Sequence, residues 1–294
     1  MYEPLGKPPR VHLLAIGNEI LNAEVRETNL AWLIKFLARR GASVVRAAII
    51  PDDFTSIADE IKLAREHGVD LLMTTGGLGP TQDDATLAGI ASALGLPLSL
   101  NKAALNMVKE RLQAFAKYRQ NMPHAITKER RSMGMFPEGG KPLLNPVGVA
   151  PGMFLEGSPR IISLPGVPSE MKAIVKESLE WFWKEFFKGV FFVRRNIIIG
   201  GIPESELSRF VRRAQEKDPE IYIKSRIKVM GKPKKWFARV PPEKLPWMIL
   251  LHFSILTGSR EEGKKRIERA IKFLVNDLRR RYPRPLYIDL DMKE

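Results

Sequence analysis

The fold is indicated most clearly by the stretch Thr74-Thr75-Gly76-Gly77-Leu78-Gly79-Pro80-Thr81-Gln82-Asp83-Asp84-Ala85-Thr86. This stretch joins a strand pattern directly to a helix pattern. The apolar run Leu71–Thr74 predicts a buried strand, and a helix is expected to begin near Asp83 or Asp84 and to end at Gly95. Glycines allow close backbone approach, and unpaired amides at a helix start favour an anion. The stretch has neither the dinucleotide pattern GxGxxG nor the Lys-Ser/Thr of a Walker loop. It predicts an anion-binding turn, with a plain strand–helix connection as the alternative.

Strand and helix patterns alternate on both sides of this turn. Apolar runs predict strands at Val11–Ile16, Val44–Ile50 and Arg160–Leu164. Apolar residues at helical spacing predict helices around Leu30–Leu37, Ile57–Ala64 and Lys102–Tyr118, and a further helix that Ser169 would cap. This alternation is typical of a mostly parallel sheet with helices on both faces. The predicted class is α/β, in a first domain of residues 1–189.

The pattern changes near Gly189, where a smaller and more basic domain of residues 190–294 is predicted to begin. Its expected elements are strands at Asn196–Ile199, Ile221–Met230 and Trp247–Leu256, and helices at Glu204–Gln215 and from Ser259 to about Arg281. These elements predict a compact α+β domain. Of the formal net charge of +15, this domain carries +12, from 25 Lys and Arg against 13 Asp and Glu. Such an excess can attract nucleic acid, but a solvated surface is its more common explanation.

Composition limits both the chemistry and the location of the protein. The chain of 294 residues has no cysteine, which excludes disulfides, thiolate metal sites and cysteine nucleophiles. The N-terminal segment lacks the apolar core of a signal peptide, and the longest apolar stretch, Leu245–Leu256, is too short to span a bilayer. We therefore expect a soluble, cytoplasmic protein without a membrane partner.

Acidic residues follow each of the first three predicted strands: Glu19 the first, Asp52 the second, and Asp83 and Asp84 the third. The carboxyl ends of parallel strands lie at one edge of a sheet, where ligands bind. Carboxylates repel a phosphate unless a divalent cation such as Mg²⁺, Mn²⁺ or Co²⁺ lies between them, and hard cations prefer such oxygen ligands. These four residues are the predicted metal ligands, and for one of Asp83 and Asp84 the alternative is helix capping.

Several motifs, in order along the chain, resemble the CinA type of molybdopterin-binding domain, which belongs to the competence/damage-inducible protein family. The motifs are Gly17–Leu21, Thr28-Asn29, Pro51–Asp53, Gly76–Asp84, Asn145–Gly152 and Leu164–Met171. The resemblance covers about residues 10–180, and residues 196–280 resemble the small domain that follows in CinA proteins. It implies a three-layer αβα fold related to MogA and MoeA. It also implies a homo-oligomer, for which we expect a dimer.

The resemblance further implies an activity and the residues that carry it. CinA-type domains are associated with metal-dependent hydrolysis of ADP-ribose to AMP and ribose 5-phosphate. Asp84 matches the aspartate of the ligand-activating site and Asp52 that of the loop after the second strand, so both are predicted to be catalytic. The predicted ligand-binding residues are Thr75, Gly76, Gly77, Leu78, Gly79, Asn29, Gly148 and Glu170. The nicotinamide-mononucleotide deamidase domain that many CinA proteins also carry is not expected within this sequence.

Two departures from the CinA pattern leave other functions open. Asn18 and Val149 both stand where threonine is usual, and Val149 lacks a hydroxyl that could contact a phosphate. The alternative function is a module that binds or adenylylates molybdopterin, with the same turn holding the pterin's phosphate. A non-catalytic adaptor for nucleic acid or protein is the third hypothesis and the weakest, because Gly200–Pro203 lacks the GxxG loop of a KH domain.

Overall fold

Two units make up the described part of the chain, each with its own sheet and its own apolar core. One unit comprises residues 8–188 and the other begins at Gly189. The computed structural model describes residues 8–81, 83–118, 125–227, 248–282 and 287–289. Within these ranges, no helix combines the length and the apolar character that crossing a membrane requires.

The first unit alternates strands and helices along most of its length. Its strands are β1 Arg10–Ile16, β2 Ser43–Ile50, β3 Leu71–Thr75, β4 Leu98–Leu100, β5 Met135–Pro137, β6 Lys141–Leu143, β7 Gly152–Leu155 and β8 Arg160–Leu164. Its helices are α1 Asn18–Leu21, α2 Asn29–Ala38, α3 Phe54–Glu66, α4 Thr86–Leu94, α5 Lys102–Tyr118, α6 Lys128–Ser132, α7 Pro168–Ala173 and α8 Glu180–Phe186, with a π-helical turn at Ile174–Ser178.

Six of these strands form one mixed sheet in the order β2-β1-β3-β8-β7-β6. The first four are parallel, whereas β7 and β6 run antiparallel to their neighbours. Successive residues of β1 point to opposite faces, so Leu13 packs against α2, α7 and α8, while Leu14 packs against α3 and α4. Helices therefore cover both faces, and the predicted three-layer αβα arrangement is confirmed.

A buried histidine of this sheet lies beside an ion pair. His12 of β1 is fully buried, and its Nε2 lies 2.8 Å from Glu60 Oε2 of α3. Arg46 of β2 donates to Glu60 Oε1 from Nη2 at 2.6 Å. Burial lowers the pKa of the His12 imidazole, against the opposing effect of Glu60. The group ties α3 to the two strands beneath it.

The second unit is built on a four-stranded antiparallel sheet. Its elements are β9 Phe191–Gly200, α9 Glu204–Lys217, β10 Tyr222–Ile227, β11 Met248–Thr257, α10 Arg260–Arg281 and β12 Tyr287–Asp289. The strand order is β10-β11-β9-β12, and the sequence order βαββαβ with this pairing is the split βαβ arrangement. Leu251 and Phe253 of β11 pack with Leu274 and Leu278 of α10 in the core. The predicted α+β architecture of this region is confirmed.

Helix starts differ from the sequence predictions at two places in the first unit. The helix expected from Asp83 or Asp84 begins at Thr86 with Ala85 in the cap position and no side-chain cap. The capping role expected for one of the two aspartates is therefore wrong for this helix, because both precede its first turn. Ser169 lies inside α7, which begins at Pro168 after Val167, so its expected capping role is wrong too.

The strands predicted in the second unit are present where the chain is described, but their bounds differ. β9 extends the predicted Asn196–Ile199 in both directions because Arg194 and Arg195 continue the pairing with β11. The strand expected at Ile221–Met230 is present as β10 at Tyr222–Ile227, and residues 228–230 lie outside the described residues. Trp247, expected to start the next strand, is also outside them.

Candidate functional site

A cleft of about 830 Å³ lies in the first unit beside the carboxyl ends of three parallel strands. Ile16 ends β1 and lines it, Thr75 ends β3 and lines it, and Pro165 follows β8 and lines it. Strand ends of a parallel sheet are the usual ligand position in such folds, since loops there diverge. The name "cleft" refers below to this cavity.

The residues Gly76–Gly79, the glycine turn, form one wall of the cleft. Gly76 and Gly77 have φ angles of +109° and +63°, in the left-handed region that favours glycine. A Cβ on Gly76 would meet the carbonyl oxygen of Ile16, and one on Gly77 would meet the hydroxyl of Thr86. That hydroxyl donates to the Gly76 carbonyl at 2.9 Å, which anchors the turn to α4. Both glycines are therefore needed for this backbone path.

Three successive backbone amides of the turn have no hydrogen-bond partner in the described part of the chain. Gly76 N–H donates to the Leu164 carbonyl at 3.0 Å, but the N–H groups of Gly77, Leu78 and Gly79 donate to no other described residue. The Leu78 side chain is buried and packs against α5, which fixes the turn. Successive free amides in a turn are suited to bind an anionic group. The predicted residues Thr75, Gly76, Gly77, Leu78 and Gly79 all line the cleft.

Asn29, the first residue of α2, lines the cleft and has a buried, unsatisfied side-chain acceptor. Its Nδ2 donates to Thr75 Oγ1 at 2.9 Å and to the Gly166 carbonyl at 2.7 Å. Thr75 Oγ1 in turn donates to the Pro165 carbonyl at 2.9 Å. Asn29 is 7% exposed, and its Oδ1 has no hydrogen-bond partner among the described residues. An unpaired buried acceptor costs about 1–3 kcal/mol, so a donor on a bound ligand would be stabilising.

Asp84 lines the cleft next to the glycine turn. Its Oδ2 accepts from the backbone N–H of Thr81 at 2.8 Å and from the Thr81 hydroxyl at 2.5 Å. A Cβ on Gly79 would lie 2.6 Å from that same oxygen, so glycine is required for the carboxylate to take this position. Asp83, the neighbouring residue, is exposed and does not line the cleft.

Glu170 and Gly148 meet through a residue that was not among the predicted site residues. Asn145 is buried, and its Nδ2 donates to Glu170 Oε2 at 2.6 Å. Asn145 Oδ1 accepts from the Gly148 N–H at 2.7 Å. A Cβ on Gly148 would overlap the Glu170 carboxylate, so this glycine makes room for it. The only sequence signal for Asn145 was its place at the start of the motif Asn145–Gly152.

An apolar wall faces the glycine turn. Leu112 and Phe115 of α5 line the cleft together with Met133, Val149 and Ala150. Val149, the departure from the CinA pattern, packs with Leu112 and Met133. The valine thus extends an apolar surface where a threonine would bring a hydroxyl. Asn18, the other departure, is exposed and does not line the cleft.

Cations border the cleft on the side of α5 and α6. Arg111 of α5 donates from Nε to the Gly148 carbonyl at 2.9 Å and from Nη2 to the Val147 carbonyl at 2.9 Å. No sequence signal marked Arg111, because its partners lie on a distant loop. Arg130 of α6 lines the cleft and donates to the Ala125 carbonyl at 2.9 Å.

The predicted metal ligands are divided between the cleft and its surroundings. Glu19 and Asp84 line the cleft, as does Glu170, whereas Asp52 and Asp83 do not. Asp52 Oδ2 instead accepts from the Asn18 N–H at 2.7 Å and holds the start of α1. In the described ranges, no three His, Asp or Glu side chains are grouped so that they could hold a metal ion together. The catalytic and metal-binding roles of these residues remain predictions.

Comparison with known proteins agrees with this geometry. Residues 12–184 match the family model described as "Probable molybdopterin binding domain". Protein PAE0875 of Pyrobaculum aerophilum is 34% identical over 271 residues, which are 92% of this chain and 94% of that protein. Protein TV0584 of Thermoplasma volcanium is 35% identical over 217 residues, which are 74% of this chain and 80% of that protein.

A solved structure resembles more than half of the chain. It is the crystal structure of the protein CinA, of unknown function, from Thermoplasma acidophilum, at 36% identity and a TM-score of 0.52. The match covers 60% of this chain and 98% of the crystallised chain. The predicted resemblance is thereby confirmed: this chain belongs to the family of probable molybdopterin-binding domains, in its CinA-like form.

Proposed function

We propose that the cleft binds a phosphorylated nucleotide and hydrolyses its phosphoanhydride with the help of a divalent cation, as an ADP-ribose pyrophosphatase would. One observation carries this proposal: unpaired amides of the glycine turn and the carboxylates of Glu19, Asp84 and Glu170 line the same cleft. Amides alone would suit a phosphate, but carboxylates beside it would repel it. Both are compatible with one ligand only if a cation neutralises the repulsion.

The donor set fits Mg²⁺, Mn²⁺ or Co²⁺ bound together with the ligand. Mg²⁺ is commonly held by one or two carboxylates plus phosphate oxygens and water, rather than by a complete cage of protein ligands. Asp84 and Glu19 are the cleft carboxylates among the predicted ligands. The chemistry supplied by such a cation is neutralisation of phosphate charge and acidification of water. We therefore expect tight cation binding only when a phosphorylated ligand is present.

Backbone and side-chain groups of the cleft would bind the ligand and activate the attacking water. The amides of Gly77, Leu78 and Gly79 would hold the diphosphate. Asp84 Oδ1, which accepts no hydrogen bond from the described residues, is free to orient a water molecule and take its proton. The water oxygen bonds to one phosphorus as the bridging P–O bond breaks. The products from ADP-ribose are AMP and ribose 5-phosphate.

Two neighbouring aspartates provide a matched test. Purified protein is incubated with ADP-ribose and Mg²⁺, Mn²⁺ or Co²⁺, with EDTA as the metal-free control, and AMP is measured by chromatography. We expect Asp84→Asn to lose at least about 100-fold in kcat, as removal of a positioned acid–base group does. Asp83→Asn, which changes charge equally but lies outside the cleft, should keep its activity. Equal activity of the two variants, or no AMP with any metal, would contradict the proposal.

The second candidate function is binding of molybdopterin. The apolar wall of Leu112, Phe115 and Val149 favours it, because a flat ring can pack on such a surface while its phosphate contacts the glycine turn. Protein purified from its native host would then release a fluorescent pterin after oxidation and denaturation. Absence of both the pterin and binding of added molybdopterin would remove this candidate.

We further propose a cytoplasmic homodimer. β2 is an edge strand of the main sheet, and its Val45 and Ile49 are 37% and 38% exposed. An edge strand with exposed apolar side chains can pair with a second copy. Light scattering after size exclusion should give twice the mass of 33.3 kDa, and Val45→Lys should lower it. A monomer at all concentrations would rule out the dimer.

The hypothesis of a non-catalytic adaptor remains the weakest of the three, because it assigns no role to the cleft.

A further inference from the structure

Several arginines border a groove of about 570 Å³ on the second unit. The groove, called below the arginine groove, is lined by Arg209, Arg212 and Arg213 of α9 and by Asp277, Arg280 and Arg281 of α10, with Phe210 beneath them. Among the described residues, Asp277 is the only carboxylate in this lining. Composition had indicated a basic domain, but only the fold collects these charges in one place.

Helical spacing explains why several groove residues of each helix lie on the same face. Arg209, Arg212 and Arg213 stand at positions i, i+3 and i+4 of α9, and therefore share one face. Arg280 and Arg281 stand at i+3 and i+4 from Asp277 on α10. Residues in such relation have Cβ atoms about 5–6 Å apart. The two faces together form the walls of the arginine groove.

Two of the arginines are held in place. Arg213 Nη2 lies 2.9 Å from Asp277 Oδ2, and Arg209 Nη2 donates to the hydroxyl of Tyr282 at 3.1 Å. The guanidinium groups of both also lie over the ring of Phe210, at 4.8 and 5.3 Å from its centroid. These contacts fix the floor and one side of the groove before any ligand arrives.

The other three arginines have uncompensated charges. Arg212, Arg280 and Arg281 are exposed and form no ion pair or hydrogen bond with another described residue. A guanidinium binds phosphate with two parallel hydrogen bonds. The three groups are supplied by two helices, so each can contact a separate phosphate. A ligand with several phosphates in a row therefore uses more of the groove than a single phosphate does.

We propose that the arginine groove binds the phosphate backbone of a nucleic acid without reading its sequence. Phe210 is 1% exposed, so it cannot stack on a base. Bases therefore cannot stack on this aromatic ring, and the groove would bind a nucleic acid through contacts to its phosphates. Such binding weakens steeply with salt because counterions are released from the nucleic acid. An acidic protein or an anionic membrane would offer carboxylates or headgroups instead of regularly spaced phosphodiesters.

Salt dependence and a charge-matched control test the proposal. The affinity of the full chain for a fluorescent DNA duplex is measured by anisotropy at several KCl concentrations. With three phosphates neutralised, the slope of log K against log salt should include a contribution of about −2.7. The variant Arg212→Gln/Arg280→Gln/Arg281→Gln should lose that part of the slope. The control Lys264→Gln/Lys265→Gln/Lys272→Gln removes the same charge from exposed positions of α10 outside the groove, and should keep it.

A second variant predicts a gain. Asp277→Asn removes the one carboxylate from the groove lining and releases Arg213, so binding should tighten and the slope should steepen by about 0.9. Circular dichroism and thermal unfolding verify that all variants are folded. Equal losses in the groove and control variants, no duplex binding at low salt, or equally strong binding to polyglutamate or to phosphatidylserine vesicles would each overturn the proposal. A change of duplex sequence should leave the affinity unchanged.

Discussion

Replacing Gly77 by alanine tests the glycine turn through stability and binding together. The φ of +63° at this position costs a residue with a Cβ roughly 1–2 kcal/mol. The new methyl group would also meet the hydroxyl of Thr86, which now donates to the Gly76 carbonyl. Loss of that hydrogen bond costs about 1 kcal/mol. Overpacking adds roughly 1–3 kcal/mol. We therefore expect the free energy of unfolding to fall by roughly 3–6 kcal/mol.

Gly95 provides the matched control. Its φ of +66° is close to that of Gly77, but nothing lies within 4 Å of a Cβ built on it. Gly95→Ala should thus show the backbone cost alone, roughly 1–2 kcal/mol. The remaining difference of roughly 2–4 kcal/mol corresponds to about 4–16 °C in Tm for a unit of this size. Differential scanning calorimetry measures it, provided that the transition of the first unit is resolved.

Binding separates the two variants further. Titration calorimetry with ADP-ribose in the presence of Mn²⁺ should show binding to Gly95→Ala, because Gly95 lies at the far end of α4. Gly77→Ala should lose binding, since displacement of Thr86 moves the amides of the turn. If the two alanine variants had equal Tm values and equal affinities, the inferred packing of Gly77 against Thr86 would be refuted.

Three further perturbations address contacts outside the turn. Because burial lowers the pKa of His12 from 6.5, the unfolded chain binds an extra proton below that pH, and the free energy of unfolding should fall on acidification. The variant His12→Gln should flatten this pH dependence in denaturant melts. An unchanged pH dependence would exclude His12 as its source. Asn145→Ala removes the bridge between Glu170 and Gly148, so the free energy of urea unfolding should fall by about 2–4 kcal/mol and ADP-ribose should bind more weakly. Unchanged stability together with unchanged binding would contradict the bridging role. Arg266→Ala breaks a partly exposed pair with Asp218 and should lower only the transition of the second unit, by roughly 1–2 kcal/mol. A shift in the first unit would show that this assignment is wrong.

Local patterns were sufficient for most of the secondary structure. The helix Lys102–Tyr118 and the strand Arg160–Leu164 have the predicted bounds, because apolar periodicity reports which face a segment buries. The glycine turn was also recognised from its sequence, since two residues with positive φ leave a signature of adjacent glycines. Helix starts were less well predicted: Ala85 and Val167 occupy cap positions without a side-chain acceptor.

Side-chain direction was beyond the reach of the sequence. Asp83 and Asp84 are adjacent and chemically identical, yet only Asp84 lines the cleft. The backbone of the turn directs one carboxylate to Thr81 and leaves the other exposed. Asp52 likewise follows a strand as predicted, but its carboxylate accepts from the Asn18 amide instead of facing the cleft. Such choices depend on single dihedral angles, which no residue pattern specifies.

The family, the α/β class with its αβα layers, and the glycine turn that a ligand would contact could therefore all be inferred from the residues alone. Those features are encoded in residues close together along the chain. The tertiary structure alone decided that Asn145 bridges Glu170 to Gly148, and that Arg111 reaches the same loop. It also decided that arginines about 70 residues apart share one groove on α9 and α10. The physical reason is that these contacts are made by packing, which joins residues distant in sequence, and periodicity carries no information about which elements will meet.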